Sequence, residues 1–321
     1  MLFVSAENVC KQYGGTAVLR GASLEVRSGE IVALLGPNGS GKTTLIKILS
    51  TLLVKDSGRV KILGHDLDKD ERAIRSLFGY AGQDSDRSAY ARLTVVENLR
   101  FFAALRGLRR PEVDVQIEKL ARSFGVESIV GKLHMTLSGG EKQAMVIMRA
   151  FLTEPSLVYL DEPSKGLDPI TASRLRAFLR HYVAEKRASI LLTSHSLAEV
   201  DELADRLGLI RNGAVAFLGT NRELKSTVGL QGILEIPRAA LTAAIEASLA
   251  RTGARRIPNE AENEWQLVGI DVNPARLEAV LQLLREHRID GRCRYRPVTL
   301  EDAFMHHYAR LPEQVERLSR D

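Results

Sequence analysis

Cysteine is scarce: Cys10 and Cys293 are the two in 321 residues, far apart and in no metal-ligand spacing. That excludes a disulfide framework and fits a reducing compartment. Long apolar runs are missing as well. The longest, such as Ile31–Leu35, fall far short of the roughly 20 residues that cross a bilayer, so the chain is not expected to span a membrane. No basic segment followed by an apolar stretch comes after Met1, so no secretion signal is expected. Aromatics make up 5% of the residues, too few to interleave with the basic ones as stacking platforms. The formal charge of +5 and pI near 9.2 are therefore not read as a nucleic-acid footprint. From Lys225 onward 14 basic residues meet 14 acidic ones, so the excess lies in the first 224. Its densest patch, Arg106, Arg109 and Arg110, reads as a solvated loop. No repeat of 20–50 residues and no low-complexity tract is seen.

What is present is an alternation of short β-branched runs with helical patterns over the first 220 residues, the mark of an α/β domain with a substantial parallel component. Ile31–Leu35 reads as a buried strand. Residues 44–53 are apolar almost all round, as in a helix packed inside a domain. Residues 95–152 are mainly helical, with Val113, Ile117, Leu120 and Phe124 on one face. Residues 157–160 and 190–193 read as two further core strands. Beyond a polar, glycine-containing stretch at 225–230 the order becomes strand 232–236, helix 239–252, strands 254–258 and 264–272, helix 275–288, strand 291–298 and helix 300–309. This is the βαββαβ order of a ferredoxin-like module.

Between the first core strand and its helix lies Gly36-Pro37-Asn38-Gly39-Ser40-Gly41-Lys42-Thr43-Thr44, which matches the phosphate-loop pattern G-x-x-x-x-G-K-[ST] in full. The glycines let backbone N–H groups curl around phosphate oxygens, and the helix that follows points its positive end at the same anion. Lys42 would reach the β- and γ-phosphates, and the Thr43 hydroxyl would ligate Mg²⁺. The implied ligand is a nucleoside triphosphate. At the end of the strand 157–160 stand Asp161 and Glu162, the edge where open α/β sheets place ligands. Asp161 suits a Mg²⁺ contact, and Glu162 suits a general base that polarises an attacking water.

Leu137-Ser138-Gly139-Gly140-Glu141 follows at 19 residues before Leu160. In this order the motifs resemble the nucleotide-binding domain of ABC transporters over residues 1–222. The fold this implies is an α/β P-loop NTPase of ABC type at 1–224, with a helical subdomain at about 86–155, followed by a small α+β, ferredoxin-like C-terminal domain at 225–321. The resemblance implies ATP and Mg²⁺ as cofactors. It makes Tyr13 the aromatic that stacks on adenine, Gln83 the sensor of Mg²⁺ and water, and His195 the switch histidine at the γ-phosphate. The resemblance also implies that Ser138, Gly139 and Gly140, a second phosphate-gripping helix start with no phosphate left to grip within one chain, complete a partner's site, and that the loop 164–168 with Asp168 crosses the dimer interface. A second ATP-binding subunit, a homodimer above all, is therefore implied, with a membrane permease as a separate chain and no nucleic acid. The chain is expected in the cytoplasm, peripheral on the inner face of the cell membrane.

Three positions depart from the family pattern: Glu141 stands where glutamine is commonest, Ala144 where arginine is usual, and Lys165 where a small hydroxyl residue is typical. The tail, Thr299-Leu-Glu-Asp-Ala-Phe304, resembles a segment of the daunorubicin-type exporter ATPases and favours export. An N-capped helix explains part of that match. An importer ATPase, or a soluble ABC ATPase that does not serve transport, would use the same core motifs.

Overall fold

The computed structural model describes residues 1–82, 88–227, 229, 232–256, 267–289 and 293–309. The chain divides into two compact units, Met1–Thr220 and Asn221–Asp321.

The first unit opens with a long hairpin, β1 (Leu2–Tyr13) and β2 (Thr16–Arg27), followed by the core strand β3 (Ile31–Leu35) and helix α1 (Lys42–Leu49). Then come β4 (Ser57–Ile62), β5 (His65–Asp66), α2 (Glu71–Leu77) and β6 (Phe78–Ala81). Three helices form the middle: α3 (Val95–Leu105), α4 (Arg110–Phe124) and α5 (Gly139–Phe151). Strand β7 (Leu157–Asp161), α6 (Pro169–Lys186), β8 (Ser189–Thr193), α7 (Leu197–Leu203), β9 (Arg206–Arg211) and β10 (Ala214–Gly219) complete it.

These strands make two sheets. One is antiparallel, in the order β2-β1-β4-β5. The other runs β10-β9-β3-β8-β7-β6, parallel except for its edge strand β10. Strands β3, β7 and β8 are buried at every residue, as parallel strands covered on both faces must be. Residues of both sheets share one core with Leu45, Ile46, Ile48 and Leu49 of α1. The helix buries most of its apolar residues because it packs against residues of both sheets. It ends earlier than its apolar run suggests: Ser50 Oγ donates to the Ile46 carbonyl at 2.8 Å, Thr51 takes a left-handed φ of 57°, and Leu52 is exposed.

Local chemistry sets the other helix ends. Helices α3 and α5 both open on capping boxes, Thr94 with Glu97 and Ser138 with Glu141. Helix α4 buries Val113, Ile117, Leu120 and Phe124, the face expected from their spacing, and stops at Gly125 in the left-handed region. The basic patch is more engaged than a free solvated loop. The Arg106 guanidinium donates to the carbonyls of Arg75 (2.8 Å) and Phe78 (3.3 Å), while Arg109 and Arg110 pair with Glu112 and Asp114.

The second unit contains α8 (Asn221–Thr227), β11 (Ile233–Pro237), α9 (Ala243–Arg251), β12 (Arg255–Arg256), β13 (Leu267–Asp271), α10 (Leu277–Glu286), β14 (Arg294–Arg296) and α11 (Leu300–Ala309). Its antiparallel sheet runs β12-β13-β11-β14, the strand order of a ferredoxin-like βαββαβ module. Its core is its own, built from Leu234, Ile236, Ile245, Leu249, Val280 and Leu284 among others. Strand β14 is shorter than the expected 291–298. Of the expected strands 254–258 and 264–272, residues 257–266 lie outside the described set. Thr299 caps α11: its Oγ1 accepts from Asp302 N at 3.2 Å, and Asp302 Oδ2 accepts from Thr299 N at 2.8 Å. Arg296 clamps the same carboxylate. Among the described residues no helix is long and apolar enough to cross a membrane.

Candidate functional site

The loop 36–43 is built where the buried strand β3 meets α1. At Gly36 a Cβ would stand 2.4 Å from the Ile210 carbonyl oxygen, so no side chain fits. At Gly41, the N-cap of α1, φ is 106° and a Cβ would meet Leu19 at 2.7 Å. These two glycines hold the loop tight against β9 and the β1–β2 hairpin. Lys42 is 6% exposed, and its ammonium donates to the carbonyls of Gly36 (2.7 Å) and Pro37 (3.0 Å). Burial pulls its pKa below the ordinary lysine value, and the carboxylates of Glu162 and Asp161 oppose that shift.

Strand β7 delivers two carboxylates beside this loop. Asp161 is 1% exposed. Its Oδ1 accepts from Thr193 Oγ1 at 2.5 Å and from Thr43 Oγ1 at 3.3 Å. Asp161 Oδ2 is buried with no hydrogen-bond partner, and so is Ser40 Oγ in the loop. Buried polar atoms are rarely left so. Bound Mg-ATP would answer both: the carboxylate is a hard oxygen donor that Mg²⁺ prefers, and the Ser40 hydroxyl can donate to a phosphate oxygen. The residues present thus fit Mg-ATP, with Lys42 as the counter-charge.

Glu162 adopts a left-handed φ of 53°, uncommon for a residue other than glycine. Its N–H donates to Thr193 Oγ1 at 2.9 Å, which fixes the turn. Each oxygen of its carboxylate has a partner: His195 Nε2 on Oε1, and Lys165 Nζ on Oε2 at 3.2 Å. Glu162 and His195 line a cleft of about 600 Å³ with Asn38, Ser164, Lys165 and Glu199.

The remaining expected residues lie elsewhere in the first unit. Ser138 caps α5, with Gly139 and Gly140 in its first turn. A Cβ on Gly140 would meet the Gly166 carbonyl at 2.5 Å, so this helix start is seated on the loop 164–168. Asp168 Oδ1 accepts from the N–H groups of Ile170 (3.0 Å) and Thr171 (3.1 Å), capping α6. Glu141, one of the departures, completes the α5 capping box and pairs with Lys132 at 2.7 Å. Ala144, another, is buried in the helix it belongs to. Tyr13 is 47% exposed at the tip of the first hairpin, with the Lys11 ammonium 5.8 Å from its ring. Gln83 lies outside the described residues. Thr44 follows Thr43 within the first turn of α1.

Four residues of the site were not singled out from the sequence for the roles they take. Thr193 ties Asp161 to Glu162, Gln143 Nε2 donates to the Pro163 carbonyl at 3.2 Å, and Ser194 and Glu199 pair beneath His195. Only Glu199 carried a signal, as the acid of a Ser-x-x-Glu helix start.

A family model described as "ABC transporter" matches residues 19–165. The daunorubicin resistance ATP-binding protein DrrA3 of Streptomyces coeruleorubidus is 33% identical over 311 residues, 94% of this chain and 95% of that protein. The probable multidrug ABC transporter ATP-binding protein YbhF of Escherichia coli is 36% identical over 225 residues, but the match spans only 38% of its length. Among solved structures, an ATP-binding subunit of an ABC transporter superposes with a TM-score of 0.65 at 32% identity, over 71% of this chain and 93% of that one.

Proposed function

The chain belongs to the family of ABC transporter ATP-binding proteins, and we propose that it binds and hydrolyses Mg-ATP to power export through a separate membrane permease. One observation carries the reading: the phosphate loop and the pair Asp161–Glu162 meet at one place, with Thr43 Oγ1 3.3 Å from Asp161 and His195 on the Glu162 carboxylate.

In this reading the amides of 36–44 and the Lys42 ammonium hold the triphosphate, and Tyr13 stacks on the base. Thr43, Asp161 and Gln83 hold Mg²⁺, which neutralises phosphate charge when bound. Glu162 accepts a proton from water as the water oxygen attacks the γ-phosphorus, and the bond from that phosphorus to the β–γ bridging oxygen breaks to give ADP and phosphate. His195 orients the Glu162 carboxylate and contacts the γ-phosphate. Ser138, Gly139, Gly140 and Asp168 close the nucleotide site of a second copy, so turnover needs a pair. The drug-resistance names of the relatives, together with the tail at 299–304, support export rather than import. The protein then works on the inner face of the cell membrane, and residues 225–321 form an accessory, regulatory domain.

The test is Lys42→Ala. Removing the counter-charge is expected to abolish ATP binding or to cut turnover by about 100-fold or more, since the interaction grows as charge develops in the transition state. Wild-type turnover in that variant would overturn the reading.

A further inference from the structure

Several helices of the first unit open on Ser/Thr-x-x-Glu. At Thr94–Glu97 and Ser138–Glu141 the carboxylate turns back and accepts from the N-cap N–H, at 2.8 Å in both. Ser196–Glu199 is spelled the same way and ends differently. Ser196 Oγ still accepts from Glu199 N, at 3.2 Å. The Ser196 N–H, however, donates to Ser194 Oγ at 3.0 Å, and the Glu199 carboxylate leaves the helix end. One of its oxygens accepts from Ser194 Oγ at 2.6 Å and the other from Ser164 Oγ.

Glu199 is 7% exposed, and a buried carboxylate is costly unless it is fully hydrogen-bonded. A capping role alone would leave it at the helix surface, as in α3 and α5. What it joins explains the difference. Ser194 immediately precedes His195, and Ser164 opens the loop that runs to Asp168 two residues beyond Glu162. The bridge spans 35 positions of sequence and fastens these two segments to each other.

We propose that Glu199 is a positioning residue for hydrolysis: it clamps the segment bearing His195 to the loop 164–168, so that the imidazole stays against the Glu162 carboxylate. This rests on the reading of Glu162 and His195 given above. The loop 164–168 is also the one proposed to meet a partner subunit, so the clamp gives that encounter a route to His195. Both serines donate to Glu199, one to each carboxylate oxygen; an amide keeps one acceptor oxygen and turns an N–H toward the other serine, so that arm survives only if the serine hydroxyl gives up its donation and accepts instead.

The experiment is steady-state Mg-ATP hydrolysis by the full chain. Glu199→Gln is expected to lower kcat about 10-fold with KM held within about 3-fold, the pattern of a group acting in the transition state rather than in binding. Ser164→Ala removes one arm and is expected to lower kcat about 3-fold, and Ser164→Thr, which restores the hydroxyl, to recover it. If kcat stays within about twofold in both Glu199→Gln and Ser164→Ala, the clamp is refuted. A rise in KM or a fall in melting temperature that accounts for the lost rate would likewise refute it, since either marks a packing role. Wild-type turnover that Glu162→Gln abolishes upholds the underlying reading separately, so an unchanged Glu199 variant would count against the clamp alone.

Discussion

Single residues decide how the site reads, and the clearest is Glu162. Its positive φ turns it out of line with Asp161, so two adjacent acids face different neighbours: one meets hydroxyls, the other His195 and Lys165. Glu162→Gln keeps the shape and removes the proton acceptor. It is expected to bind ATP while turnover falls by about 100-fold or more, and to accumulate as an ATP-held pair by size-exclusion chromatography. A variant that turns over normally would exclude Glu162 as the base. Lys165 is a different case. Its ammonium is largely solvated and therefore screened, and His195 still partners the buried Glu162 carboxylate without it, so Lys165→Ser is expected to leave the melting temperature nearly unchanged. At this scale the sequence was legible wherever the residues of the candidate site are contiguous. The nine residues of the phosphate loop are contiguous, and Asp161 and Glu162 end a recognisable strand. Thr193 and Glu199 were not legible, because each takes its role from partners 31 to 35 positions away.

Among elements, the helices with a clean apolar face were readable, while α2, α6, α7 and the first sheet were not. Helix α4 shows a clean apolar face, whereas β1 has register shifts against β2 at Ala6/Val9 and Lys11/Gln12 that break the two-residue alternation. Helix starts also carry a pH dependence. Hydrogen bonds from the Thr94 backbone lower the Glu97 pKa, the Lys132 ammonium lowers that of Glu141, and bonds from Thr171 lower that of Asp168. Carboxylates lowered in the folded state stabilise it fully above their unfolded pKa, and that stability is lost as pH falls through the folded values. Melting temperature is therefore expected to hold above about pH 5 and to fall below about pH 4 as these caps protonate, as thermal melts across that range would show. Packing supplies a second test. On β6, a Cβ at Gly79 would lie 2.0 Å from the Ala150 carbonyl of α5, so strand and helix backbones touch there. Gly79→Ala must push them apart and is expected to cost about 1–3 kcal/mol in denaturant unfolding.

For the whole molecule, the two units have separate cores, and each buries its own apolar set. A chain of residues 1–220 is therefore expected to melt cooperatively and still bind ATP. A truncated chain without a cooperative transition would mean that the first core is incomplete by itself. The order of motifs along 1–222 was enough to place the chain in its family, because those motifs are spaced by the parallel sheet that carries them. One contact already described reaches furthest. With Gly140 seated on the carbonyl of Gly166, the start of α5 and the loop ahead of α6 cannot be displaced independently. Whatever docks on one is at once in register with the other, so this subunit offers a visitor a single stiff face, and engagement should behave as one event rather than two.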